Sequence, residues 1–335
     1  MPNKLNHIEK LTALTYKLLD NQSTYKELTT ALDEFLALCC HASDILPSLS
    51  YSAHAGDTEL QQGIAINPEA AAQCVKDYRR TVAFIRGLYA AIQNNLKDSA
   101  DRSIRLLYAG CGPYAAILMP LLSVIKPKNV DIHLLDIHDE SLESVHQLLD
   151  YFGFNNFTVS YYCEDACEFQ PSISFDIILA ETMQKALEQE PQVMVTANLT
   201  TLLNPNGTFL PEQIAVDLCI RDKGSNTTKT RVKTMFELAA NHQCRTLIHG
   251  SLQHNDPKIQ LGTVVIPKLF NSHSHELVLT TNIQIYKDIY LTNNEAEISL
   301  VTEVYDLRHA HAYEHWQAYY LLGTYPRFGF TLVSV

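Results

Sequence analysis

The segment from Ile104 to Ile220 constrains the fold most, because short apolar runs and amphipathic stretches alternate along it. Residues 104–109 read as a buried strand, which enters the glycine turn Tyr108-Ala109-Gly110-Cys111-Gly112-Pro113. An apolar helix is expected over 114–125, then a strand from Val130 to Leu135 closed by Asp136, then a helix over 140–152. Further strands are expected over 157–163 and 175–180. A helix over 188–203, the turn Asn204-Pro205-Asn206-Gly207 and a strand from Thr208 to Ile220 complete the segment. Strands that alternate with helices imply a doubly wound, mostly parallel sheet that binds its ligand at the carboxyl ends of the strands.

The flanks have other periods. Leu5, Ile8, Leu11 and Leu18, and then Leu28, Leu32, Phe35 and Leu36, mark two amphipathic helices, and Thr24 with Glu27 has the spacing of a capping box. A mobile stretch is expected from Pro47 to Gly63. Asn67-Pro68 then opens a third helix running to Leu96, with a cap residue followed by proline at the first helical position. Beyond Arg221, β-rich runs over 260–266, 277–286 and 296–304 lie between polar loops and carry no helical period. The expected domains are a helical cap region over 1–100, a nucleotide-binding α/β domain over 101–220 and a β-rich, barrel-like substrate domain over 221–335.

Several residues could carry chemistry. Gly110 and Gly112 let the backbone pass close to a ligand, and a helix following the turn offers free N–H groups there. A tight turn without a ligand uses the same residues. Asp136, one strand further on, can accept both hydroxyls of a ribose, which favours a nucleotide-type ligand. Asp165 is placed either to meet an adenine edge or to serve as an ordinary loop acid. Glu181 and Glu190 stand nine positions apart, just past the strand over 175–180. A guanidinium is a planar fork whose donors match carboxylates bidentately, so two carboxylates at that edge suit a cationic nitrogen. The plainer alternative is a helix-start cap at Glu181 and a solvated face at Glu190. His309, His311 and His315, with His273 and His275, have spacings open to metal binding, but read better as scattered loop histidines, so no metal is expected.

Composition narrows the partners. The 335 residues, 46% of them apolar, can bury a large core, and a net charge of -12 argues against a nucleic-acid backbone and for a cationic substrate. Eight scattered cysteines without a CxxC pair suit a reduced intracellular protein, with Cys39 and Cys40 packing on an apolar helical face. Neither a signal peptide nor a membrane-spanning run is visible, so a cytoplasmic location with no membrane partner is expected.

The block 104–220 resembles a class I S-adenosylmethionine (SAM)-dependent methyltransferase and is most similar to the protein arginine methyltransferases. In that family a Ser-Glu-x-Met sequence after the fourth strand, with a second Glu nine positions after the first, forms the double-E loop. Ala180-Glu181-Thr182-Met183 and Glu190 match it, and Asn204-Pro205-Asn206-Gly207-Thr208-Phe209-Leu210-Pro211 resembles the segment that follows. Lys76-Asp77-x-x-Arg80-Thr81 is similar to the family helix whose arginine holds the SAM carboxylate. Glu314-His315-Trp316 resembles the Thr-His-Trp motif that closes the substrate pocket.

The resemblance implies a Rossmann-like SAM-dependent methyltransferase domain with a helical N-terminal cap and a C-terminal antiparallel β-sheet or reduced β-barrel. It implies SAM held by Arg80, Gly110, Cys111, Gly112, Asp136 and Asp165. Glu181, Glu190 and His315 become catalytic candidates, and Met183, Trp316 and Tyr51 shape the substrate pocket. The implied activity is methyl transfer to an amine or guanidinium nitrogen of a cationic small molecule, peptide or protein, in a chain that could form a homodimer. Two alternatives stay open. One is attack on the aminocarboxypropyl arm of SAM. The other is a SAM-binding protein without catalysis, which is favoured by Tyr108 and Tyr114 where the family has an acid and a glycine.

Overall fold

The computed structural model describes residues 2–48, 56–98, 102–225, 227–252 and 257–333. Helices α1 (Pro2–Leu19) and α2 (Tyr25–Ala42) open the chain, followed by a hairpin of β1 (Thr58–Leu60) and β2 (Gly63–Ala65). Helices α3 (Pro68–Gln73) and α4 (Tyr78–Asp98) lead into the central block. That block runs β3 (Ile104–Ala109), β4 (Val130–Asp136), α5 (Asp139–Phe152), β5 (Thr158–Cys163), β6 (Phe175–Ala180), α6 (Gln192–Leu199) and β7 (Leu203–Leu210).

Its five strands form one parallel sheet in the order β5-β4-β3-β6-β7, with the first strand at the centre. Both faces are covered, so β6 is buried at every position. Leu106, Tyr108, Ile132 and Ile177 pack with α4 and α5 on one side, while Leu107, Ala109, Ile178 and Val195 pack on the side of α6. Side chains of alternating parity thus feed two cores.

The remaining chain adds two antiparallel sheets. One has the order β12-β11-β8-β9, built from β8 (Gln213–Asp222), β9 (Thr228–Ala239), β11 (His275–Tyr286) and β12 (Ile289–Leu291). The short β13 (Thr302–Glu303) also pairs with β11. The other has the order β10-β14-β15, from β10 (Lys258–Val265), β14 (His315–Leu321) and β15 (Arg327–Leu332). Helix α7 (His242–Leu252) joins β9 to β10, in a region where no helical period stands out. Among the described residues, no helix is long and apolar enough to cross a membrane.

Local chemistry explains the elements and their departures from expectation. Thr24 caps α2, accepting from the Glu27 amide at 3.3 Å while the Glu27 carboxylate takes the Thr24 amide at 2.8 Å. Asn67 caps α3 through the Ala70 amide at 2.9 Å. The single helix expected to Leu96 instead breaks at Asp77, where the backbone leaves helical geometry and α4 restarts with Arg80 in its first turn. Asp77 holds the break in place by accepting the Glu297 amide at 2.8 Å. No α-helix forms over 114–125. Ala115 takes a left-handed φ of 41°, Pro120 has no amide to donate, and only the 3-10 turn Met119–Ser123 appears. The strand expected over 208–220 divides at Pro211 into β7 and β8, which belong to different sheets. The run over 296–304 is a 3-10 turn followed by β13. Part of the stretch expected to be mobile is the ordered β1–β2 hairpin, and residues 49–55 lie outside the described ones.

Candidate active site

At the carboxyl ends of β3, β4 and β6 lies a cavity of about 1030 Å3, counting its mouth. Such a position, beside the central strand of a doubly wound sheet, is where ligands bind in this class of fold.

The glycine turn forms its floor. Gly110 and Gly112 have φ of 68° and 60°, open to glycine without strain. A Cβ on Gly110 would stand 2.5 Å from Thr182 Cγ2 and 3.2 Å from the Glu181 carbonyl oxygen. The glycine therefore lets β3 meet the segment carrying Glu181. The Gly110 amide donates to the Leu135 carbonyl at 2.9 Å, and no α-helix follows the turn. Gly112 donates its amide to Asp136 Oδ2 at 2.9 Å, and the His138 amide donates to Asp136 Oδ1 at 3.0 Å. Each oxygen of this buried carboxylate has a second, longer contact, Oδ2 to the Cys111 thiol at 3.9 Å and Oδ1 to His138 Nδ1 at 3.5 Å, which a ligand hydroxyl could displace. Asp165 also borders the cavity, its Oδ1 taking the Cys167 amide at 2.8 Å in a local turn.

Glu181 and Glu190 form the opposite wall. They are only 8% and 9% exposed, yet both face the cavity. Arg80, in the first turn of α4, pairs through Nη2 with Glu181 Oε2. Glu181 Oε1 is buried and has no hydrogen-bond partner. Burial pushes the Glu181 carboxyl up, and Arg80 pulls it back. Among the described residues Glu190 has no such ion pair of its own, and Gln184 is its side-chain hydrogen-bond partner. Burial, reinforced by the charge of Glu181, raises it to about 8. The two carboxylates are therefore unequal at neutral pH, with Glu181 tied to a guanidinium and Glu190 holding a proton. Cys74 and Tyr108 complete this wall. Burial lifts the thiol to about 11, and burial with the Glu181 charge keeps the phenol protonated.

The loop carrying the pair is held out of regular structure. Ala186, Leu187 and Gln189 take left-handed φ of 52°, 54° and 64°, a strain that persists only where surroundings impose it. They do so here. The Ala186 amide donates to Thr281 Oγ1 at 2.9 Å, Tyr320 Oη to the Leu187 carbonyl at 2.6 Å, and the Gln189 amide to the Pro326 carbonyl at 3.0 Å. At the base, buried Gln192 accepts from the Thr182 amide at 2.9 Å and donates to the Ala180 carbonyl at 3.1 Å.

The hairpin closes the third side. The Ile64 amide donates to the Gln189 carbonyl at 2.8 Å, and Thr58 Oγ1 lies 3.0 Å from His138 Nε2. At Gly63 a Cβ would meet the Pro191 nitrogen at 2.7 Å, so the two backbones touch.

Eight of the residues singled out in the sequence thus border one cavity: Arg80, Gly110, Cys111 and Gly112 along with Asp136, Asp165, Glu181 and Glu190. Three do not join them, and a fourth cannot be placed. Met183 is packed in the core at 1% exposure and does not line the cavity. His315 lies exposed at the start of β14 opposite Val265, and the Trp316 indole donates to Glu314 Oε2 at 3.1 Å, so neither reaches the cavity. Tyr51 lies outside the described residues. Among the described residues, no group of three His, Cys, Asp or Glu gathers to hold a metal. Sequence reading missed Cys74, His138 and Gln192, together with the hairpin residues Leu60 and Ile64. Only the alternation in Thr58–Leu60 and Gly63–Ala65 could have pointed to that wall.

No family model and no curated protein sequence matches the chain. Solved structures do. The PRMT1 enzyme-prozyme heterotetrameric complex of Trypanosoma brucei with AdoHcy aligns at a TM-score of 0.50 and 13% identity, covering 74% of this chain and 86% of that one. The protein arginine methyltransferase 10 of Arabidopsis thaliana, in a uniquely open conformation, aligns at 0.48 and 9% with the same coverages. At such identity the trypanosomal likeness speaks for the fold, and it agrees with the sheet order and the appended antiparallel sheets: the chain has the fold of the protein arginine methyltransferases.

Proposed function

We propose that the protein is a SAM-dependent N-methyltransferase that moves a methyl group to an amine or guanidinium nitrogen of a cationic acceptor. The observation that carries this reading is the pair of buried, unequal carboxylates, Glu181 and Glu190, sharing a cavity with Asp136 and the glycine turn. The cavity fits the cofactor. Asp136 can take ribose hydroxyls in place of its long contacts to Cys111 and His138, Arg80 has guanidinium donors beyond the one paired with Glu181, and the acidic lining suits a sulfonium. The trypanosomal neighbour of the same fold was solved with AdoHcy.

When bound, SAM supplies a methyl group on sulfur, and that S–C bond breaks as the new N–C bond forms. The chain's own residues do the rest. Arg80 orients the amino-acid end of the cofactor while opposing the upward push of burial on Glu181. Glu181, with Oε1 unpartnered, accepts a hydrogen bond from the acceptor and aims its nitrogen along the transfer axis. The methylated nitrogen must shed a proton, and Glu190 is the group placed to take it. Its carboxyl at about 8 falls in the range suited to proton transfer near neutral pH, and a cationic acceptor beside it lowers that value and empties it of its proton. Most of the acceleration then comes from positioning and fixed charge in a closed site.

The test is product identity. After incubation of the purified protein with SAM and a panel of amines and guanidines, mass spectrometry should find S-adenosylhomocysteine and a methylated acceptor. Methylthioadenosine in its place would assign attack on the aminocarboxypropyl arm, and the absence of both would remove catalysis.

A further inference from the structure

The acceptor's size and charge are written in which parts of the chain reach the cavity. Its wall is drawn from the hairpin, α3 and α4, and the loops after β3, β4, β5 and β6, and among the described residues none beyond Val195 borders it. The β-rich unit, expected to hold the substrate, is screened off by residues 184–189, which are fastened to it by the bonds to Thr281, Tyr320 and Pro326. On another side the hairpin is fastened to the same loop through Ile64 and Gln189, with Gly63 against Pro191. The carboxylate pair therefore opens into the space that the cofactor also occupies. The acceptor is thus confined to whatever part of this cavity the cofactor leaves open.

Charge narrows the companion further. Asp136, Glu164, Asp165, Glu181 and Glu190 face the cavity, and the cations opposite them are Arg80 and, if protonated, His138. Arg80 is already shared between Glu181 and the cofactor carboxylate. A second carboxylate brought in by the acceptor would find no cation and would meet the unpartnered Glu181 Oε1 at close range.

We infer that the acceptor is a small free cation, an alkylamine or alkylguanidine lacking a carboxylate, enclosed beneath the β1–β2 hairpin; this rests on the methyl-transfer reading above. A residue presented on a polypeptide, or a free amino acid, is the excluded class. The full-length protein should be assayed for S-adenosylhomocysteine release with agmatine, putrescine, free arginine and an arginine-containing peptide, each also titrated calorimetrically into the S-adenosylhomocysteine-loaded protein. Agmatine or putrescine should exceed arginine in kcat/KM by on the order of tenfold or more, about 1.4 kcal/mol, and the peptide should show neither turnover nor binding heat. Turnover of the peptide, or parity between arginine and agmatine, overturns the inference and leaves methyl transfer standing. If none of the four is turned over, methyl transfer to such acceptors falls and the titrations still decide. Tighter binding of agmatine or putrescine than of arginine and peptide supports the cation cavity; the reverse order, or no binding at all, overturns it.

Discussion

Strand β6 carries carboxylates at both ends, and the two ends treat them in opposite ways. Near its start, Asp176 receives Arg102 through two bonds of 2.8 and 2.7 Å, the Arg105 amide at 2.9 Å and the Asn204 side chain at 2.8 Å. Burial alone would raise this carboxyl, but those donors, led by Arg102, bring it down to about 2. Just past the other end, Glu181 has one partner and an orphaned oxygen, and Glu190 is lifted to about 8. A carboxylate that serves the fold is saturated with donors. One left buried and under-satisfied costs stability, and it makes sense where a ligand completes it.

The largest expected effect tests the unsaturated end. Glu181→Gln and Glu190→Gln should each lower kcat/KM by on the order of 3–5 kcal/mol, several hundredfold or more, while SAM affinity measured by calorimetry stays within a few fold. Glu190→Gln should also leave the melting temperature unchanged or raised, since it removes a buried acid without an ion pair of its own. Near-normal turnover in both variants would sink the double-glutamate mechanism.

Asp176→Asn is the converse. It should lower unfolding stability by on the order of 2 kcal/mol in a denaturant titration, tempered by the exposure of Arg102, while kcat per folded molecule is retained. An active-site defect with intact stability would show that donor count does not separate the two ends.

The sequence disclosed the saturated and regular parts better than the strained ones. The parallel sheet was legible because short apolar runs and strand–helix alternation are local patterns, and Asp136 followed from its place at a strand end. Ala115 and the prolines undid the expected helix over 114–125, because a left-handed φ at an alanine is imposed by tertiary packing and leaves no mark in composition. The same holds for Ala186, Leu187 and Gln189. Their neighbours Thr281, Tyr320 and Pro326 lie about a hundred residues away, so the loop's shape was invisible even though its two glutamates were plain. The pairing of Arg80 with Glu181 was missed for a like reason, since it depends on the break at Asp77 that turns α4 toward the cavity.

Opposite slopes with pH should separate the ends of β6 in a single curve. Glu190 keeps its proton when folded up to about pH 8 but loses it near 4.5 when unfolded, so the stability present below that window drains away as pH rises through it. The loss is at most about 1.4 kcal/mol per pH unit. Asp176 behaves inversely, contributing above 3.8 and failing as pH falls toward 2. Melting temperatures recorded across pH should fall between about pH 4.5 and 8 in the wild type and flatten over that span in Glu190→Gln, whereas Asp176→Asn should flatten only the span between about 2 and 3.8. An unchanged slope between about pH 4.5 and 8 in Glu190→Gln would mean that Glu190 ionises normally.

The smallest effect is expected where family resemblance placed a residue that the cavity does not reach. His315 is exposed on β14, and Trp316 donates to Glu314, with the loop 184–189 between the β-rich unit and the carboxylates. His315→Ala and Trp316→Phe, the latter keeping the packing of the ring, should change kcat/KM by no more than about 0.5 kcal/mol, roughly twofold. The measurement is a turnover assay on folded, purified variants, with melting curves to separate packing from chemistry. A loss of tenfold or more at unchanged melting temperature would bring the β-rich unit back into the site. Glu181 and Glu190 would then be one half of a pocket completed from the other side, and the closed wall drawn by Ile64, Gln189 and Pro191 would have to open during turnover.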